Sequence, residues 1–147
     1  MFKHILVPTD GSELSSDTVR RAVSFAKDAG ARITFFFAKP GYPVAFYGEG
    51  ALIDPTTPEK FAEMAEQQSK EILGKAEAVA AEAAVAASSL SSTSDIPYVA
   101  IIDAAQDAGC DLIFMASHGR RGISGLLLGS ETQKVLTHST IPVLVYR

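Results

Sequence analysis

The sequence predicts an α/β fold of β-α-β-α-β-α-β-α-β order, with parallel strands and helices on both faces of the sheet. Two observations carry this. Short apolar runs alternate with longer amphipathic stretches along the chain, which is how strands joined by crossover helices read. The runs Ile33-Thr34-Phe35-Phe36-Phe37-Ala38 and Leu112-Ile113-Phe114-Met115-Ala116 are almost continuously apolar, whereas a strand with one face in water would alternate.

The first strand is His4 to Val7, stopped by Pro8. A helix follows from about Ser12, where Leu14, Val19, Ala22, Val23 and Ala26 recur at helical spacing. Gly30 supplies its left-handed C-terminal cap. The second strand, Ile33 to Ala38, is expected inside the sheet. Lys39 to Pro58 holds four prolines and three glycines in twenty residues, a loop in which Tyr42, Phe46, Tyr47, Leu52 and Ile53 are expected to pack on the domain. A long helix starts near Pro58, with Thr57 as its N-cap. Phe61, Met64, Ala65, Ile72, Ala76, Val79 and Ala83 form its inward stripe. Val85 to Ser94 is serine-rich and reads as a short edge strand, since two helices would otherwise follow each other directly. Pro97 opens the third helix, with Val99, Ile102, Ala105 and Ala108 inward and Gly109 as its cap. Leu112 to Ala116 is the fourth strand, Ser130 to His138 the last helix and Ile141 to Tyr146 the final strand. Pro142 lacks an N–H and suits a sheet edge.

Composition limits what such a protein does. A chain of 147 residues is the size of one domain and buries roughly 68–70% of its unfolded surface. Thirteen basic against seventeen acidic residues give a net charge of −4, which argues against a nucleic-acid partner. No uncharged apolar run approaches the roughly 18 residues of a membrane span. The N-terminus lacks the apolar stretch of a signal peptide, and the lone Cys110 fits a reducing cytoplasm, the expected location.

Open parallel sheets bind ligands beyond the carboxyl ends of their strands, where strand order reverses. After strand one stand Pro8, Thr9 and Asp10, and after strand two Ala38 and Lys39. After strand four runs the segment from Ala116 to Glu131, with glycines at 119, 122, 125 and 129. Glycines let backbone N–H groups approach an anion, and a helix start offers free N–H groups and a positive dipole end to phosphate. Ser130 is expected as N-cap of the last helix and as a hydroxyl donor to phosphate. The same glycines also serve tight turns, and a serine cap needs no ligand, so both readings stand on these features alone. Asp10 suits ribose hydroxyls or a nucleotide-borne metal, and equally a cap of the first helix. Arg120 and Arg121 match phosphate geometry or are simply solvated. His118 has no nucleophile beside it and reads as a hydrogen-bonding residue. Gly-x4-Gly-Lys-Ser/Thr, Gly-x-Gly-x-x-Gly after the first strand and Gly-x-Ser-x-Gly are all missing. Residues suited to hold a phosphate are present, but no committed machinery for phosphoryl transfer.

Four separated segments resemble universal stress proteins. They are Ile-Leu-Val-Pro-Thr-Asp-Gly-Ser at 5–12, Asp-Leu-Ile-Phe-Met-Ala-Ser-His-Gly at 111–119, Leu-Leu-Leu-Gly-Ser at 126–130 and Pro-Val-Leu-Val at 142–145. The resemblance runs over residues 1–147. It implies a three-layer α/β/α sandwich of the adenine-nucleotide alpha-hydrolase type, with strand order 3-2-1-4-5. ATP-binding members carry Gly-x2-Gly-x9-Gly-Ser/Thr after strand four; here Gly119, Gly129 and Ser130 match, and Ala116 replaces the first glycine. An alanine there is tolerated if its φ is negative. The resemblance implies ATP (or ADP or AMP), with Mg possible through Asp10. Adenine and ribose would lie near Pro8, Thr9, Asp10, Ala38 and Met115, and the phosphates on Gly119, Gly129, Ser130 and the Glu131 backbone. Ser117 and His118 would flank them, next to Ala116. From their charge, at least one of Arg120 and Arg121 is expected to contact or steer the phosphates. It also implies a stress-response regulatory role, with a nucleotide-free dimeric module and a slow ATP hydrolase as alternatives. The apolar edge Val143 to Tyr146 is expected to pair with a second copy in a homodimer.

Overall fold

The computed structural model describes residues 1–43, 57–119 and 128–147. The expected contents of segment 44–56, with Phe46, Tyr47, Leu52 and Ile53, lie outside the described residues. The elements are β1 (His4–Pro8), α1 (Glu13–Ala29), β2 (Arg32–Lys39), α2 (Pro58–Glu82), β3 (Ala87–Thr93), α3 (Pro97–Asp107), β4 (Leu112–Ala116), α4 (Ser130–His138) and β5 (Val143–Tyr146). All strands are parallel in the order β3-β2-β1-β4-β5. The order reverses between β1 and β4, the switch point of an open α/β sheet.

Local chemistry explains the boundaries. Ser12 caps α1 by accepting from Ser15 N, and Gly30 ends it at φ 65, which a Cβ would disfavour. Thr57 caps α2, with Pro58 opening the helix. Strand alternation then divides the core. Ile5, Val7, Ile33, Phe35, Phe37, Leu112 and Phe114 face α1 and α2, while Leu6, Phe36, Ile113 and Met115 face α3 and α4.

Three expectations need correction. Met64 is 58% exposed, because the buried stripe of α2 runs through Ala65, Ser69, Ile72, Leu73, Ala76 and Ala80. Val99 is likewise exposed, since α3 turns Ala100, Ile101, Ile102 and Ala105 inward. The last strand starts at Val143 and not at Ile141. The serine-rich edge strand is present: β3 pairs with β2 from Ala87 through Thr93 although its side chains are largely exposed.

At the opposite end of the sheet from the carboxyl termini, His4 is buried. Its Nε2 stands 2.7 Å from Thr34 Oγ1, which is 3.0 Å from Ser88 Oγ. Burial, then the charge of Arg32, holds the imidazole pKa below its ordinary 6.5, against the opposing pull of Asp111. Below pH 6.5 the unfolded chain therefore takes up a proton that the folded chain refuses. Stability falls as pH drops from 6.5 toward the folded pKa. Urea midpoints at pH 7.5 and 5.5 are expected to drop further for the native chain than for His4→Gln; equal drops would remove His4 as the cause.

Candidate functional site

The segment after β1 is pinned from several sides. Thr9 N donates to Phe36 O at 2.9 Å, tying it to β2. Thr9 Oγ1 lies 2.6 Å from Ser15 Oγ, which also accepts from Asp10 N at 3.1 Å. The helix cap is Ser12, so the alternative role of Asp10 as that cap does not hold. Asp10 Oδ1 instead accepts from Ser12 N at 2.9 Å, bracing the turn through Gly11, which adopts φ 78. Asp10 Oδ2 reaches toward the other side of the switch point: a Cβ added to Gly119 would stand 2.5 Å from it. The Asp10 carboxylate thus lies against the backbone of Gly119.

The segment after β4 is closed at its neck. Ser117 N donates to Tyr146 O, and Ser117 O accepts from Gly129 N, each at 2.8 Å. Thr132 Oγ1 donates to Ala116 O at 3.0 Å. A Cβ on Gly129 would lie 3.0 Å from His118 Cα and 3.3 Å from Ser117 O. These bonds hold Gly129 extended, at φ −60 and ψ 151, as the N-cap of α4. The expectation that Ser130 is the N-cap is therefore corrected: Ser130 is the first helical residue, and its hydroxyl does not serve as a cap. Among the described residues the α4 start has no side-chain cap, and the first backbone N–H groups of a helix have no intrahelical acceptor. The positive end of the helix dipole lies at this start, where Gly129 joins the end of β4 through Ser117.

The other predicted residues fall around this point. Pro8 is the last residue of β1. Ala38, near the end of β2, packs against the cluster that contains Met115. Ser117 is buried, with Oγ 3.2 Å from His118 Nδ1. Ala116 is the last residue of β4, and among the described non-glycine residues only Ala84 has positive φ. Alternation with Leu112 and Phe114, which face α1 and α2, turns the Ala116 methyl away from the side occupied by Met115. Arg120 and Arg121 lie outside the described residues. Glu131 follows Ser130 as expected, but its side chain has a role the sequence reading missed: Oε2 accepts from Tyr98 N at 2.9 Å, at the start of α3.

Elsewhere, a cleft of about 670 Å³ opens between α2 and the end of β2. It is not at the strand-order reversal, and its Lys39 is held by Glu66 at 2.8 Å. Among the described residues no group of three His, Cys, Asp or Glu side chains is placed to hold a metal ion. No described helix is long and apolar enough to cross a membrane. Burial, the larger effect, pushes the Cys110 thiol up to about 11, which leaves it an unreactive core residue.

Comparison with known proteins places this geometry in context. The model of the universal stress protein family matches residues 1–147. Universal stress protein YxiE of Bacillus subtilis is 30% identical over 158 residues, spanning 100% of both chains. A solved universal stress protein in complex with cAMP superposes with a TM-score of 0.71 at 24% identity, covering 99% of this chain and 97% of that one. The universal stress protein from Archaeoglobus fulgidus in complex with dAMP gives 0.68 at 19% identity, covering 99% and 98%.

Proposed function

The chain belongs to the universal stress protein family, and from that premise we propose that it is an adenine-nucleotide-binding regulatory protein of the stress response. The observation that carries the reading is the start of α4. Among the described residues it has no side-chain cap, and it is flanked by two glycines, 119 and 129, at which a Cβ would stand 2.5 Å from Asp10 Oδ2 and 3.0 Å from His118 Cα. Such a cradle suits phosphate oxygens. Ser130 then donates its hydroxyl, and the N–H groups of the first turn of α4, Glu131 included, line the cradle. Ala38 and Met115 offer an apolar wall for the base. Asp10 is the carboxylate for the ribose hydroxyls, or for Mg carried by the phosphates. Two related structures hold cAMP and dAMP, which supports an adenine nucleotide as the ligand class. ATP is the proposed member of that class, and regulation through nucleotide state is the proposed mode of action.

Ala116 does not count against this. Its strand backbone asks for no glycine, and its methyl stands on the far face from Met115. The protein acts as a homodimer through β5, on grounds developed below.

Mass spectrometry of nucleotide released from freshly purified, denatured protein tests the reading, followed by calorimetric titration of the emptied protein with ATP. Released adenine nucleotide and a saturable heat are expected. No nucleotide released and no heat at millimolar ATP would overturn the proposal.

A further inference from the structure

The geometry points to Glu131 as a positioning residue that joins the first turn of α4 to the first turn of α3, so that the two helix starts hold or open together. The α3 start cannot satisfy itself. Its N-cap is Ile96, at φ −122 and ψ 80, with no side-chain cap and no acid in the first turn. Tyr98 N receives its acceptor instead from Glu131 Oε2 at 2.9 Å, 33 residues away in the chain. The carboxylate is steadied on its other side, where Lys134 Nζ lies 3.4 Å from Oε1. The same ammonium stands 5.5 Å from the centre of the Tyr98 ring, and the His138 ring packs on that ring at 5.1 Å. Tyr98 of α3 and three residues of α4, Glu131, Lys134 and His138, thus form a single joint between the helices.

The joint has a second consequence at the anion cradle. An acid in the first turn of a helix ordinarily sits over that helix's own free N–H groups. There it would compete with a phosphate. Glu131 is turned to α3 instead, which leaves the amides of α4 to the ligand. Resting on the nucleotide reading above, the inference is that phosphate on the first turn of α4 also protects the start of α3. By reciprocity, whatever orders that start tightens the phosphate site.

Amide hydrogen exchange at Tyr98 tests this in the full chain, in Glu131→Ala and in Glu131→Gln, which keeps an acceptor oxygen. Without ligand, Glu131→Ala is expected to exchange Tyr98 roughly fivefold faster, the size of a lost helix cap, and Glu131→Gln is expected to restore protection. Saturating ATP is expected to slow Tyr98 exchange in the native chain and in Glu131→Gln but not in Glu131→Ala. Unchanged ligand-free exchange in Glu131→Ala overturns the joint, and ATP protection of Tyr98 that persists in Glu131→Ala overturns the coupling. A native chain that takes up no ATP sinks the nucleotide reading and the coupling, while the ligand-free rates still decide the joint.

Discussion

Gly129→Val is expected to weaken ATP binding by roughly one to two orders of magnitude while leaving the chain folded. The backbone at residue 129, with φ −60 and ψ 151, is open to any residue, so the effect does not come from backbone strain. It comes from contact. The first carbon of the new side chain would stand 3.0 Å from His118 Cα and 3.3 Å from Ser117 O. Both are backbone atoms at the neck of the loop and neither can rotate aside. Relief shifts the start of α4 away from Ser117, lengthening the 2.8 Å bond from Gly129 N and displacing the amides proposed to hold phosphate. Overpacking of this kind costs about 1–3 kcal/mol, here levied on the site. Ala116→Gly is the contrasting variant, expected to change ATP affinity by less than about twofold, because residue 116 is ordinary strand, where glycine only loosens the backbone. Calorimetry on both variants checks the pair. Native-like affinity in Gly129→Val would show that the start of α4 is not where the phosphates sit.

Much of this arrangement was legible before any coordinates, and the parts that were not share a physical cause. Strands such as Ile33 to Ala38 announce themselves because burial on both faces removes the alternation of a half-wet strand. Helix starts at Ser12 and Thr57 carry local capping chemistry, and Pro97 marks the start of α3 only through its fixed φ and missing N–H. Errors arose where the deciding partner is distant or small. The stripe of α2 is set by Ala65, Ser69 and Ala76 as much as by Ile72, so ranking positions by hydrophobicity put the larger Met64 inside. Helix α2 ends through Ala84 at φ 57, where no glycine marks the stop. The Ser130 hydroxyl looked like a cap, but a bond from the preceding residue to Ser117 decides where α4 begins. The Glu131 to Tyr98 bond spans 33 residues and has no local pattern; its one sequence trace is that Ile96, ahead of Pro97, cannot cap. The ends of β1 and β4 lead into Thr9, Asp10 and Ser117 beside the reversal of strand order, and Gly129 is bonded back to Ser117. Only the structure shows that Asp10 lies against Gly119.

Val145→Pro is expected to convert a dimer into a monomer without disturbing the sheet that carries the site. The two edges of the sheet differ in kind. β3 presents serines, whereas β5 is Val-Leu-Val-Tyr, with every residue only half buried. An uncovered apolar edge invites pairing, and the same strand of a second copy across a two-fold axis covers it symmetrically. On the inner side, Pro142 O accepts from Ile113 N and Tyr146 O accepts from Ser117 N. By the alternation of a parallel ladder, the N–H and C=O of Val143 and Val145 then point outward. Proline at 145 therefore removes a donor from the open edge and none from the bond to β4. The Tyr146 ring stays braced by Arg21, whose Nε lies 3.3 Å from the phenol oxygen. Light scattering at micromolar concentration is expected to give twice the 15.6 kDa chain mass for the native protein and the single mass for the variant. A native protein of single mass would leave β5 an unpaired edge and end the dimer proposal. A dimeric variant would move the interface elsewhere on the surface.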